Sequence, residues 1–248
     1  MNHMKLIDER NGISRIENVE DFETLHVEGI CTVIFIHSDE LEMYVLNESI
    51  RAAKPKVLND NNKMVISCKN ISQKSITQGQ SAKFSFTSTG DTVIVRGRQD
   101  RGMITNIDKN HPFACLPNLD ELDSILPVFV IKKPFLKRLL SFDQTNVSLY
   151  DLNQEVLLIE SSHQSSVKVE GLVHQLVSAY AKHQSSIKTH KLIQPQIGYA
   201  NCIQQASIRI GATRHAKLQA FDQSSIKFYG EKSIADYKAM HQSSIRFK

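Results

Sequence analysis

One short phrase returns six times between Asp143 and Lys248, and few folds can accommodate it. It reads DQTNVSL from Asp143, HQSSVKV from His163, HQSSIKT from His183, QQASIRI from Gln204, DQSSIKF from Asp222 and HQSSIRF from His241. Marked by the residue before the central aliphatic (Asn146, Ser166, Ser186, Ser207, Ser225, Ser244), the copies are 20, 20, 21, 18 and 19 residues apart. A period near twenty marks a solenoid, because one copy cannot bury its apolar side and stacked neighbours complete the core.

Apolar and polar residues alternate within each phrase, which is the period of a strand buried on one face. Val167 and Val169, Ile187 and Thr189, Ile208 and Ile210, Ile226 and Phe228, and Ile245 and Phe247 share the inward parity. A slip of one residue would expose them all, so the register is fixed. The phrase is read as strand from its His-Gln onward, with turns near Gly171, Gly211 and Gly230. A second apolar run follows in most copies, as in Val156–Ile159 and Leu176–Tyr180. Stacking also aligns Gln144, Gln164, Gln184, Gln205, Gln223 and Gln242, whose amides can hydrogen-bond from turn to turn.

Earlier in the chain, FETLHVEG, CTVIFIHSDE, LEMYVLNE and KMVISCKN read as short strands separated by turns. The order VEDFETLHVEGICTVIFIHSDELEMYV, KMVISCK, LPVFVIKKPFLKRLLSF and then SSIK-type repeats resembles the head GIN domain family of putative auto-transporter adhesins. The resemblance covers about 16–69 and about 126 to the end. The family's repeat is richer in glycine, with Ser-Gly where this chain has His-Gln or Asp-Gln. It implies an all-β, single-chain β-helix of the bacterial envelope or a secreted protein. It implies no catalytic residues.

The fold expected is therefore all-β, a β-helix with turns of about twenty residues, with the N-terminal strands as irregular first turns and an inserted hairpin and loop. Residues 1–125 form an N-terminal region, with family-like strands over 16–69 and the insertion over 70–125. The solenoid repeats occupy 126–248, and the whole is read as one continuous unit. A separate N-terminal sandwich is the alternative. Within the insertion, KFSFTSTGDTVIVRGR reads as a hairpin, RQDRGMITNIDKNHPFACLP as a long loop, and LDELDSIL as a short helix capped by Asn118.

Charge carries the functional signal. Residues 163–248 hold twelve Lys or Arg against four Asp or Glu, a surplus of eight in a chain whose net charge is +4. Lys168, Lys188, Arg209, Lys227 and Arg246 fall at one outward position on successive copies, flanked by Ser166, Ser186 and Ser225. Such a row either keeps an exposed sheet soluble or suits a repeating anion, such as an acidic glycan or lipopolysaccharide. Nucleic acid fits poorly, because no aromatic residues interleave the row for base stacking.

No GxSxG, HExxH, phosphate loop or dinucleotide fingerprint is present, so no catalytic residue, cofactor or metal is assigned. His163 and His183 share a corner on adjacent turns, but two ligands are too few for a metal site. Cys31, Cys68, Cys115 and Cys202 lack metal-ligand spacing and read as buried thiols. Cys31 and Cys68 lie in strand-like runs and could pair in an oxidising compartment. No stretch approaches the roughly 18 apolar residues of a membrane helix, and the first residues lack a signal peptide's apolar core, leaving the compartment open. The reading is a non-catalytic adhesin-like protein. The alternatives are a structural module associating with a second copy through its last turn and a carbohydrate-active β-helix enzyme.

Overall fold

The computed structural model describes residues 6–8, 13–46, 56–60, 62–68, 83–89, 92–97, 104–107, 122–123 and 127–248. In chain order the first strands are β1 (Leu6–Asp8), β2 (Ile13–Ile16), β3 (Thr24–Gly29), β4 (Thr32–His37), β5 (Glu42–Leu46), β6 (Lys56–Asp60) and β7 (Lys63–Cys68). The insertion contributes β8 (Lys83–Thr89), β9 (Thr92–Gly97), β10 (Ile104–Ile107) and β11 (Leu122–Asp123). Then follow β12 (Val128–Lys133), β13 (Arg138–Phe142), β14 (Asn146–Ser161), β15 (Ser166–Ala181), β16 (Ser186–Ile193), β17 (Ile197–Ile203) and β18 (Ser207–Gly211). The chain closes with β19 (His215–Phe221), β20 (Ser225–Tyr229), β21 (Ala235–Ala239) and β22 (Ser244–Phe247).

These strands wind an all-β solenoid with two parallel faces. The first face stacks β12, β4, the start of β14, the start of β15, β16, β18, β20 and β22. The second stacks β7, β3, β13, the end of β14, the end of β15, β17, β19 and β21. The sixteen-residue strands β14 and β15 bend from one face to the other without a break. Gly171 lies at that bend in β15, inside a strand rather than in the expected turn, with φ of 120°.

The N-terminal strands join this stack rather than forming a sandwich of their own. β4 lies between β12 and β14, and β3 lies between β7 and β13, so the β3–β4 pair is one layer of the solenoid. Chain order and spatial order therefore differ. The chain passes from β4 to antiparallel β5 outside β12, and from β6 to β7 outside β3, before it returns. β12 then crosses to β13, stepping over the intervening β3–β4 layer.

Lys133 marks that crossing. It is 1% exposed and pairs with the Asp21 carboxylate, with its ammonium 4.5 Å from the Phe135 ring centroid and 5.2 Å from that of Phe22. A buried cation needs such compensation, because desolvation alone would drive out its charge. The hydrogen bond from Lys133 holds the Asp21 carboxyl below its usual range.

The expected parity holds in the core. Val147, Val167, Ile187, Ile208 and Ile226 form one inward column, with Leu149, Val169, Thr189, Ile210 and Phe228 beside it, and all are buried. Leu139, Ile159, Ala179, Ala200 and Leu218 oppose them from the second face. Thr189, the one hydroxyl in these two inward columns, donates to the Arg209 carbonyl at 3.0 Å.

The His-Gln pairs are where sequence and structure part. Asp143-Gln144, His163-Gln164, His183-Gln184, Gln204-Gln205, Asp222-Gln223 and His241-Gln242 are two-residue turns, not strand, with φ between 53° and 66°. This left-handed region costs an L-residue roughly 1–2 kcal/mol, and His and Asp enter it more readily than most. Three sets of bonds between layers offset the cost. The N–H of each turn glutamine from Gln144 to Gln223 reaches a carbonyl one layer on, as from Gln144 to His163 at 2.9 Å and from Gln205 to Asp222 at 3.0 Å. The glutamine amides form the expected ladder: Gln144 donates to Gln164 at 3.0 Å, Gln164 to Gln184 at 3.1 Å, Gln184 to Gln205 at 2.9 Å, Gln205 to Gln223 at 3.1 Å and Gln223 to Gln242 at 3.5 Å. Third, the serine that follows the glutamine in three of the turns, Ser165, Ser185 or Ser224, is folded inward. Ser185 donates to the Ser161 carbonyl at 2.7 Å and accepts from the Lys182 N–H at 3.1 Å, and Ser224 repeats both bonds with Cys202 and Phe221. The repeat's Gln and first Ser are thus committed to holding the corner.

The insertion's strands form a small antiparallel sheet in the order β10-β9-β8-β11. The expected hairpin is β8 with β9, in register from Phe84 opposite Gly97 to Thr89 opposite Thr92. Two expectations need correction. Part of the supposed loop is β10, paired with β9, and Leu122–Asp123 is a strand on β8 rather than helix, so sheet pairing overrides the helical spacing of the leucines. The proposed Asn118 cap and Cys115 lie outside the described residues.

Candidate functional site

On the first face, every second residue of each phrase points away from the core. Lys168 lies opposite Lys188, Lys188 opposite Arg209, Arg209 opposite Lys227 and Lys227 opposite Arg246, so the five cations are aligned on five neighbouring strands. At a strand spacing of about 4.8 Å the column runs roughly 19 Å. Neighbouring charges about 5 Å apart repel by about 0.8 kcal/mol in water. Lys168, Arg209 and Arg246 are exposed, and Lys188 and Lys227 are half-buried.

Beside this column runs a second one, of Asn146, Ser166, Ser186, Ser207, Ser225 and Ser244 in register. Ser166 and Ser186 are half-buried and Ser225 is exposed. Ser207 donates to the Ser186 hydroxyl at 3.3 Å. The face therefore offers cations flanked by hydroxyl donors, and the structure brings all eight candidate residues together.

Two further groups belong to this patch. Lys248 pairs by backbone with Phe228 and Gly230. Its ammonium is held below its usual value by the neighbouring Lys227 ammonium and, more weakly, by the charge of Arg209. The Lys227 ammonium lies 5.5 Å from the ring centroid of Tyr229. Both residues were legible in the sequence, since Tyr229 and Lys248 follow Lys227 and Arg246 at the same outward parity. The repeat does not single them out, because their position varies from copy to copy, as Glu170, Gly211, Tyr229 and Lys248.

The corner of turns forms a concavity about 1160 Å³ in volume, bordered at one end by Gly29 and Cys68 and along its length by the turn residues. His163 and His183 stack there with ring centroids 4.6 Å apart. The Asp143 carboxylate and the Ser162 hydroxyl approach the same nitrogen of His163, Nδ1, at 3.8 and 2.9 Å. A hydrolytic triad needs its acid and its nucleophile on opposite ring nitrogens, so this is not one. Among the described residues no group of three or more His, Cys, Asp or Glu is placed to hold a metal ion.

His183 gives this corner a pH dependence. Burial, the His163 ring and Lys182 lower its pKa, so the unfolded chain takes up this proton more readily than the folded one. Its contribution to stability is complete above about pH 6.5, the unperturbed value, and is lost as pH falls toward the folded-state pKa. The same corner position holds Gln204 one layer on. Between pH 8 and pH 5, thermal melting of His183→Gln is expected to fall less than that of the parent; parallel curves would remove His183 from the acid response.

No protein-family model matches the chain, and no curated protein matches it. Among solved structures, a putative adhesin from Bacteroides fragilis is similar over 98% of this chain and 97% of its own, at 14% identity and a TM-score of 0.55. The likeness is one of fold. A putative lipid binding protein from Parabacteroides distasonis aligns over 98% of this chain and 99% of its own at 13% identity, with a TM-score of 0.46. A putative adhesin from the same species covers 98% and 94% at 12% identity, with a TM-score of 0.43. These neighbours carry adhesin or lipid-binding names, and the head GIN resemblance finds no family match beside them. Among the described residues no helix is long and apolar enough to cross a membrane.

Proposed function

We propose that this chain is a non-catalytic, adhesin-like protein of the cell envelope or the secreted space that holds an acidic glycan or lipopolysaccharide against its first face. One observation carries the reading: five cations stand in unbroken register on neighbouring strands, beside a serine column. A fold that needed only solubility would scatter its charges and avoid the repulsion. A polyanion with regularly spaced charges converts that repulsion into attraction along the whole column. The resemblance to the head GIN domain family and the adhesin names of the structural neighbours lead the same way.

The test is retention on a sulfated polysaccharide resin and on immobilised lipopolysaccharide, with Lys188→Glu/Lys227→Glu beside the parent. Both positions face outward, so the variant keeps the core. Expected is binding at least about tenfold weaker in low salt, since steering by clustered charge is worth that much or more. Elution of parent and variant at the same salt would reduce the column to a solvated surface.

A further inference from the structure

The corner position before each first-face strand has one job in most layers. Thr145, Ser165, Ser185, Ala206 and Ser224 hold it, each at most 2% exposed. Ser165, Ser185 and Ser224 send their hydroxyls toward the preceding layer, to the carbonyls of Ser141, Ser161 and Cys202. In the β3–β4 layer this position belongs to Cys31, because Thr32 and Asn146 are partners across β4 and β14. Its side chain is likewise fully buried, and the preceding layer on the second face is β7.

That strand ends in the other cysteine. Cys68 is the partner of Gly29 in the β3–β7 ladder, two residues before Cys31 in the chain, and it is 1% exposed. Both residues belong to one buried cluster, and both are free thiols. The contact between them is close enough that the Cys31 thiol is pushed well above its usual value, first by a hydrogen bond with Cys68 and then by burial.

We propose that Cys31 and Cys68 close a disulfide when the chain folds under oxidising conditions. The step needs a disulfide oxidant, such as oxidised glutathione. One thiolate attacks it, forming a mixed disulfide and releasing one reduced glutathione. The second cysteine, as thiolate, displaces the other glutathione as the protein S–S bond forms, so the two thiol hydrogens and two electrons end on two molecules of reduced glutathione. The reaction precedes closure of the corner, since neither sulfur is open to solvent in the folded layer. The bond takes the place of a missing two-residue turn. Every later layer joins its faces through the Gln corner, whereas in the β7–β12 layer β7 ends at Cys68 and β12 begins only at Val128.

The full chain is refolded in oxidised glutathione or in a reducing buffer, quenched with N-ethylmaleimide under denaturing conditions, and weighed intact. The chain has four cysteines. The proposal expects two alkylated cysteines after oxidation against four after reduction, with peptide mapping linking Cys31 to Cys68. Melting should rise by about 10 °C on oxidation, and that rise should vanish in Cys31→Ser. This variant is expected to fold, because serine fills the equivalent place in the Ser165, Ser185 and Ser224 layers. Four alkylated cysteines in the oxidised, folded parent would overturn the proposal. A linkage to Cys115 or Cys202 would do the same.

Discussion

Gly171→Ala is expected to destabilise the chain by roughly 3 kcal/mol or more, because strained backbone and a backbone clash coincide there. The φ of 120° is one that side chains rarely adopt, and a Cβ would lie 2.3 Å from the Leu152 nitrogen and 2.6 Å from its oxygen. Those atoms belong to the ladder between β14 and β15, with Leu152 opposite Gly171 and Gly171 opposite Leu192. Neither strand can yield without losing its register. Gly198→Ala is the control: its Cβ would meet the Ala212 Cβ and the Gly211 oxygen at 3.1 Å, a crowding that a shift of a few tenths of an ångström relieves. Urea unfolding should show a large drop in midpoint for the first variant and a small change for the second. Equal midpoints would mean that the bend tolerates a side chain.

Ile187→Ala is expected to cost about 2–5 kcal/mol and to change the form of unfolding as well as its midpoint. Ile187 is fully buried in the middle of its column, with Val167 below and Ile208 above. In a stacked repeat, stability is the sum of layers and of the interfaces between neighbours. A cavity at one central interface weakens the coupling between the halves more than it weakens either half. Hydrogen exchange should therefore show β18 to β22 opening separately from β12 to β14 in the variant, and together in the parent. A single cooperative transition in both would mean that the two faces couple the layers over a longer range.

Much of the solenoid could be read from residues because each layer repeats the same physical demand. The aliphatic parity, the glutamine ladder and the aligned cations all follow from stacking identical positions at one strand spacing. The two-residue turns could not be read in the same way. Glycine or asparagine usually announces a left-handed pair, and here His-Gln, Asp-Gln and Gln-Gln occupy it, held by bonds that exist only once neighbouring layers are present. The faint signal was the choice of His and Asp, which tolerate that region. The ion pair of Lys133 with Asp21 was hidden by a separation of 112 residues. The insertion misled through LDELDSIL, whose apolar spacing suits a helix although Leu122–Asp123 pairs with β8. The cation column was legible because its five residues fall at one place in the repeat and stacking aligns them.

The interleaving of the N-terminal layer bears on how the molecule comes into being. β3 and β4 precede β12, β13 and β14 in the chain, yet β4 acquires its flanking partners only with β12 and β14, and β3 its second partner only with β13. A nascent chain ending anywhere before Val128 thus presents a two-strand layer with open backbone donors and acceptors, and such edges invite mispairing. The layers therefore cannot assemble strictly in chain order. Its earliest strands must wait to be clasped by later ones, which makes completion of this end the slow, non-local step of folding.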